Sequence, residues 1–277
     1  MSAFSASRKR IWRDYDRMAT IRYLSGARFR GAQLPSSEAD QRPAAVTDAK
    51  PQARRDNWSW FFVFMASVLL VIVAVGFANS FYLRNIIPRS HSVSALPVYI
   101  VLHGIVLTSW FLLLLGQAVL VASGRVRLHR SFGVADAALA AVVFALSMLV
   151  VVRSVVREPS LVVLGDIIIL FLFAILVTGG IWFRQKPDVH KRLMLIASIS
   201  IVAPAIARWP GGRSMLPLSV VGPQLFPFAV LILYDVLSRR RVHPATIWGV
   251  ALYVVALGVS IPLASSHLGH ALVEALK

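Results

Sequence analysis

Cysteine is absent from the 277 residues, which removes disulfides, iron–sulfur ligation, thiol catalysis and thioether attachment of haem. Negative charge is scarce. Of 12 acidic residues only Asp136, Glu158, Asp166, Asp188, Asp235 and Glu274 lie beyond position 57, so any acidic chemistry in the apolar part rests on these six. Charged residues of both signs make up 15% of the chain, against about 25% for soluble proteins, which points to a membrane protein. Residues 1–57 contain no apolar stretch resembling a signal-peptide core. No nucleophile–base pair or metal motif marks a membrane enzyme.

Apolar sequence is what the chain has in abundance. Seven runs, roughly 58–83, 97–122, 132–152, 161–183, 191–207, 222–238 and 245–265, follow one another. About 20 helical residues cross a hydrocarbon core, and only a fully hydrogen-bonded backbone is stable there. The runs therefore predict an all-α polytopic membrane protein with seven transmembrane helices over 58–265. Before them lies a basic extension, 1–57, and after them a short tail, 266–277. In the extension Ile11, Trp12, Tyr15, Met18, Ile21 and Leu24 recur at near-helical spacing among arginines. That pattern suits a helix lying on anionic lipid headgroups, or one docking on a partner subunit. Residues 31–57, with Pro35, Pro43 and Pro51, read as a linker.

The excess of 17 positive charges does not indicate nucleic acid, because the cations sit at the ends of apolar runs rather than on one folded face. Their distribution predicts orientation. With the N-terminus inside, inner segments hold 22 Lys and Arg and outer segments 7, as the positive-inside rule requires. Seven crossings then place the C-terminus outside, periplasmic for a bacterial inner membrane. Three inner turns each carry a histidine beside cations: "RLHRSFG" at His129, "PDVHKRLM" at His190 and "RRVHPATIW" at His243. An internal triplication fits this pattern only loosely, since the spacings differ.

Ionisable groups within membrane helices are costly and each is a functional candidate. Asp166 and Arg208 lie near the outer ends of antiparallel helices, as a structural ion pair or a substrate site. Asp136 and Asp235 lie near inner ends, in reach of the arginine-rich turns for salt bridging. His103, followed by Gly104, is a candidate axial ligand, because a glycine lets a flat macrocycle approach the backbone. The residue four turns further on is Gln117, not histidine, so the two-ligand helix of dihaem cytochromes is missing. Two bis-histidine pairings fit the topology: His129 with His190 inside, where Arg130 and Arg192 would meet propionates, and His103 with His267 outside. Structural histidines at helix ends fit equally well. His267 and His270, with Glu274, make a weak metal motif. Pro204 predicts a kink that frees the carbonyl of Ser200.

"HRSFG" (His129, Arg130, Gly133) and "HKRLM" (His190, Lys191, Arg192, Met194), with Arg208 near the end of the same helix, resemble motifs of uncharacterised bacterial multi-helix membrane proteins. That family has no established function and is compared with haem-b membrane cytochromes; the resemblance covers about residues 97–210. It implies an inner-membrane location and a multi-helix fold. Three functions remain open on these residues: electron transfer through haem b held by some of His103, His129, His190 and His267; an accessory or assembly subunit of a larger membrane complex; and a small transporter built around Asp166, Arg208 and the Pro204 kink.

Overall fold

A computed structural model of the chain describes residues 50–84, 86, 95–156, 160–209 and 218–276, the side chains of 50–59, 218 and 219 excepted. The amphipathic segment and residues 31–49 of the expected linker lie outside the described residues, and the rest of that linker, 50–57, is already helical. Among the described residues there is no strand, and seven helices are long and apolar enough to cross a membrane. The chain is a multi-pass membrane protein.

The helices are α1 (Lys50–Phe77), α2 (Val98–Ala122), α3 (Val126–Ser154), α4 (Ser160–Trp182), α5 (Pro187–Ser200), α6 (Ala203–Ile206), α7 (Leu218–Arg239), α8 (Pro244–Ser265) and α9 (His267–Ala275). Helix α1 runs on into a π-helical turn, Ala78–Tyr82. Proline opens both α5 and α8 at a first-turn position, where its missing N–H removes no bond. His243 caps α8, its Nδ1 accepting from the Ala245 N–H at 3.0 Å. Arg240 turns the chain between α7 and α8 at φ 60°.

The span 191–207 differs from the sequence expectation: it starts at Pro187 and is two helices, α5 and α6, broken at Ile201–Val202. It is also the most enclosed span. Some 61% of its apolar window is buried, whereas no other span exceeds 39%, so the other helices pack around it. Helices α1, α4, α7 and α8 all contact α5. Leu69, Phe111, Phe173, Ile196, Ile199, Leu231 and Tyr253 build the core there. Gly76 brings α1 against the α6 backbone, where a β-carbon would collide with the Ala205 carbonyl.

A break within a membrane leaves carbonyls without donors, at a cost unless another group replaces them. Pro204 is consistent with the expected cause, but the remedy lies on another helix. Gln224 of α7, 1% exposed, donates its amide to the carbonyls of Ile199 (3.1 Å) and Ser200 (3.0 Å). The tail beyond α8 is helical too. Helix α9 is capped by Ser266, whose Oγ accepts from the Gly269 N–H at 3.0 Å. It closes a second core of Val151, Val163, Leu164, Ala264 and Val273 at the end away from the basic turns.

Candidate functional site

The opening of α5, Pro187–Arg192, is where the polar groups of the bundle converge. Residues two apart on a helix point about 200° apart, so His190 and Arg192 serve different neighbours. His190 faces the α3–α4 side. Its Nδ1 lies 2.8 Å from the carbonyl oxygen of Gly180 on α4; a carbonyl only accepts, so Nδ1 carries the hydrogen. Gly180 is what allows α4 so near, since a β-carbon there would come within 2.8 Å of the Met194 sulfur.

Across from it stands His129, in the first turn of α3. The two rings lie 6.1 Å apart between centroids, at 70° to one another. The Nδ1 of His129 bonds the Oε1 of Gln117 on α2, and the Gln117 Nε2 donates to Asp136 Oδ2 at 2.5 Å. Both imidazoles thus use Nδ1 for support, and neither Nε2 is bonded to another described residue. Gln117, which interrupts the dihaem pattern, is a partner of His129 in this fold.

Arg192 faces the other way and is fully buried, as is Asp235 of α7. The Arg192 Nε donates to Asp235 Oδ1 at 2.9 Å, and its Nη2 bonds the same oxygen. Asp235 Oδ2 accepts from the His243 N–H at 3.0 Å and the Thr246 hydroxyl at 2.6 Å. The remaining Arg192 nitrogen, Nη1, donates to the Asp188 carbonyl at 2.8 Å. The Asp188 carboxylate in turn pairs with Lys191 at 2.8 Å and with Arg239. A charge removed from water requires this degree of pairing. Burial, with the Arg192 and Arg239 cations near it, holds His243 below the ordinary imidazole range, which suits the neutral ring that accepts at the α8 cap.

Three expectations change on this geometry and one holds. Arg192 is not available for a propionate, because Asp235 takes its guanidinium; Arg130, exposed beside His129, is. Asp235 makes the salt bridge expected of it, with Arg192 at the opening of α5. Asp136 bonds Gln117 and not a turn arginine. The space beside Gly104 is filled by Phe81, whose ring lies 2.6 Å from where a β-carbon would stand, so no macrocycle approaches the backbone there.

His103 has its Nδ1 3.4 Å from the Ser147 hydroxyl, on α2 between α1 and α3. His267 is exposed at the start of α9, which packs on α4 and α8; the two histidines belong to different helix neighbourhoods. In α9 the His270 Nδ1 donates to the Ser266 carbonyl at 2.8 Å. The Arg208 guanidinium donates to the Pro204 carbonyl at 2.6 Å and lies over the Phe77 ring at 4.7 Å, on the α1 side of the bundle. Asp166 sits half-buried on α4. Among the described residues no three His, Asp or Glu side chains are gathered closely enough to hold a metal ion.

Gln224, Thr246 and Gly180 were missed as site residues. The signal for the first two was present: a lone glutamine inside an apolar run, and a threonine in the first turn of α8. No family model, no curated protein and no solved structure matches the chain.

Proposed function

We propose that the protein is an electron carrier of a bacterial inner membrane, holding a b-type haem between His129 and His190 at the basic-turn end, which faces the cytoplasm. The observation that supports this reading is the paired imidazoles, with both Nδ1 atoms engaged and neither Nε2 bonded to a described residue. Metal–imidazole bonds of about 2.0–2.1 Å place two rings on opposite sides of one ion with centres roughly 6 Å apart, close to the 6.1 Å between these two. A bare ion needs three or four protein ligands, and no such set exists among the described residues. A macrocycle supplies its own four nitrogens and asks the protein for only two axial ones. The donor set fits haem on that count.

Bound haem supplies one-electron chemistry. The protein's part is to orient the two rings and to shape the charge around them. Gly180 and Gln117 fix the rings by their Nδ1 atoms, and such supporting bonds govern ligand basicity. Arg130, exposed next to His129, supplies positive charge suited to a propionate. The transporter reading has less support, because Gln224 occupies the carbonyls that a substrate or ion would need at the α5–α6 break.

The test is an absorption spectrum of the purified full-length protein, oxidised and then dithionite-reduced, before and after titration with hemin. A sharp Soret band with reduced α and β bands is expected for the wild type. His190→Ala and His190→Lys should both lose it, since an ammonium offers iron no lone pair. A wild-type protein that gains no low-spin haem spectrum through the titration, or a His190→Lys variant identical to it, overturns the proposal.

A further inference from the structure

His190 and His129 are oriented by different means. The acceptor of His190 is a backbone carbonyl, which cannot become a donor. The acceptor of His129 is a side-chain amide, which presents either C=O or NH2 according to which way it turns. What turns it is Asp136. An ionised carboxylate accepts and never donates, so the amide directs its NH2 to Asp136 Oδ2 and its carbonyl oxygen to His129. The Nδ1 of His129 must then carry the hydrogen. Gln117 is itself buried, 9% exposed, which leaves the amide little water to bond instead. The other carboxylate oxygen, Oδ1, is buried with no hydrogen-bond partner. The one donor that Asp136 meets among the described residues is therefore this amide.

We propose that Asp136 is a positioning residue which, acting through Gln117, sets the tautomer of His129 and so leaves its Nε2 bare beside His190. With the amide reversed, its NH2 would face Nδ1, the ring hydrogen would move to Nε2, and that nitrogen would no longer be a ligand. The carboxylate thus decides, without touching His129, whether the pair offers two lone pairs or one. This rests on the haem reading only for what the two nitrogens hold. The tautomer itself belongs to the protein without any cofactor.

The experiment is nitrogen NMR of the full-length protein labelled with 15N-histidine in lipid nanodiscs, at a pH where both rings are neutral. The His129 signal is assigned by its loss in His129→Gln. Free neutral histidine favours the hydrogen on Nε2, so a hydrogen on Nδ1 is a signature the fold must impose. Wild type should show it at both His129 and His190. Asp136→Asn, whose side chain accepts or donates, should release His129 to a mixture of tautomers or to Nε2–H. Gln117→Leu should do the same. His190 should be unchanged in both variants, since the Gly180 carbonyl is untouched, and this reports that the fold is intact. A wild-type His129 with its hydrogen on Nε2 overturns the proposal. So does an Asp136→Asn variant in which His129 keeps Nδ1–H, or variants in which His190 shifts along with it, which would make Asp136 a general packing residue. Hemin titration of the same samples separates the two readings: the expected tautomers with no low-spin spectrum would defeat the haem reading and leave this one standing.

Discussion

Removing Asp235 should be among the most damaging single changes in the bundle. Its carboxylate receives Arg192 Nε and Nη2, the His243 N–H and the Thr246 hydroxyl, and both it and Arg192 are fully buried. Asp235→Ala leaves a buried guanidinium with only the more distant, half-exposed Asp188 carboxylate, 3.5 Å from Nη1, as counter-charge, at a cost approaching about 3–5 kcal/mol. It also leaves the buried Thr246 hydroxyl and the half-buried His243 N–H without acceptors, each costing up to about 1–3 kcal/mol, though relaxation of the Thr246 hydroxyl onto its own helix lowers that share. A loss of at least 4 kcal/mol or so is expected on these grounds. The converse is more informative. Replacing a whole buried ion pair by apolar side chains of similar volume is often neutral or stabilising. The variant Arg192→Met, Asp235→Leu, Thr246→Val removes the buried charges together; it leaves the His243 N–H unserved and takes one donor from Asp188, which keeps Lys191 and Arg239, so it should recover most of the loss. The assay is reversible unfolding of the full-length protein in mixed micelles with rising SDS, followed by circular dichroism. If Asp235→Ala lies within about 1 kcal/mol of wild type, or the triple variant is no better than the single one, the pair is not the structural tie that its geometry implies.

Gln224→Leu should cost about 2–4 kcal/mol in the same assay, because the carbonyls of Ile199 and Ser200 lose their donor at the helix break; Gln224→Glu should be no better, since an ionised carboxylate donates nothing to them. For His243 the folded ring resists protonation relative to its ordinary value, so the unfolded state binds the proton first and stability falls as pH drops below about 6.5. His243→Asn keeps a capping side chain at α8 and should flatten that part of the pH–stability curve, which unfolding at pH 5, 6 and 7 would reveal. A reporter active only in the periplasm, fused after Lys277, should be active if the basic turns are cytoplasmic; activity of a cytoplasm-only reporter there would reverse the proposed orientation.

The seven spans were legible in the amino-acid order because crossing a membrane is a local property. A run of apolar residues of sufficient length forms its own backbone hydrogen bonds wherever it stands, so counting runs counts helices. The approach of His129 to His190 was legible for a related reason: hairpin helices with their basic turns at one end bring residues of those turns to a common level. Which polar groups join there was not legible. Arg130 and Arg192 look alike beside their histidines, yet one is exposed and the other is buried against Asp235, because the rotation of each helix about its axis is decided by packing. Gln117 read as the absence of a ligand until α3 brought His129 and Asp136 to its two ends. The space at Gly104 was decided by Phe81, from a different helix, and the break near Pro204 by Gln224 on α7. Apolar patterning determines that a segment is a helix and where it lies along the membrane normal. Pairing among buried polar groups depends on distances of about 3 Å between helices far apart in the chain, and only the tertiary packing decides those.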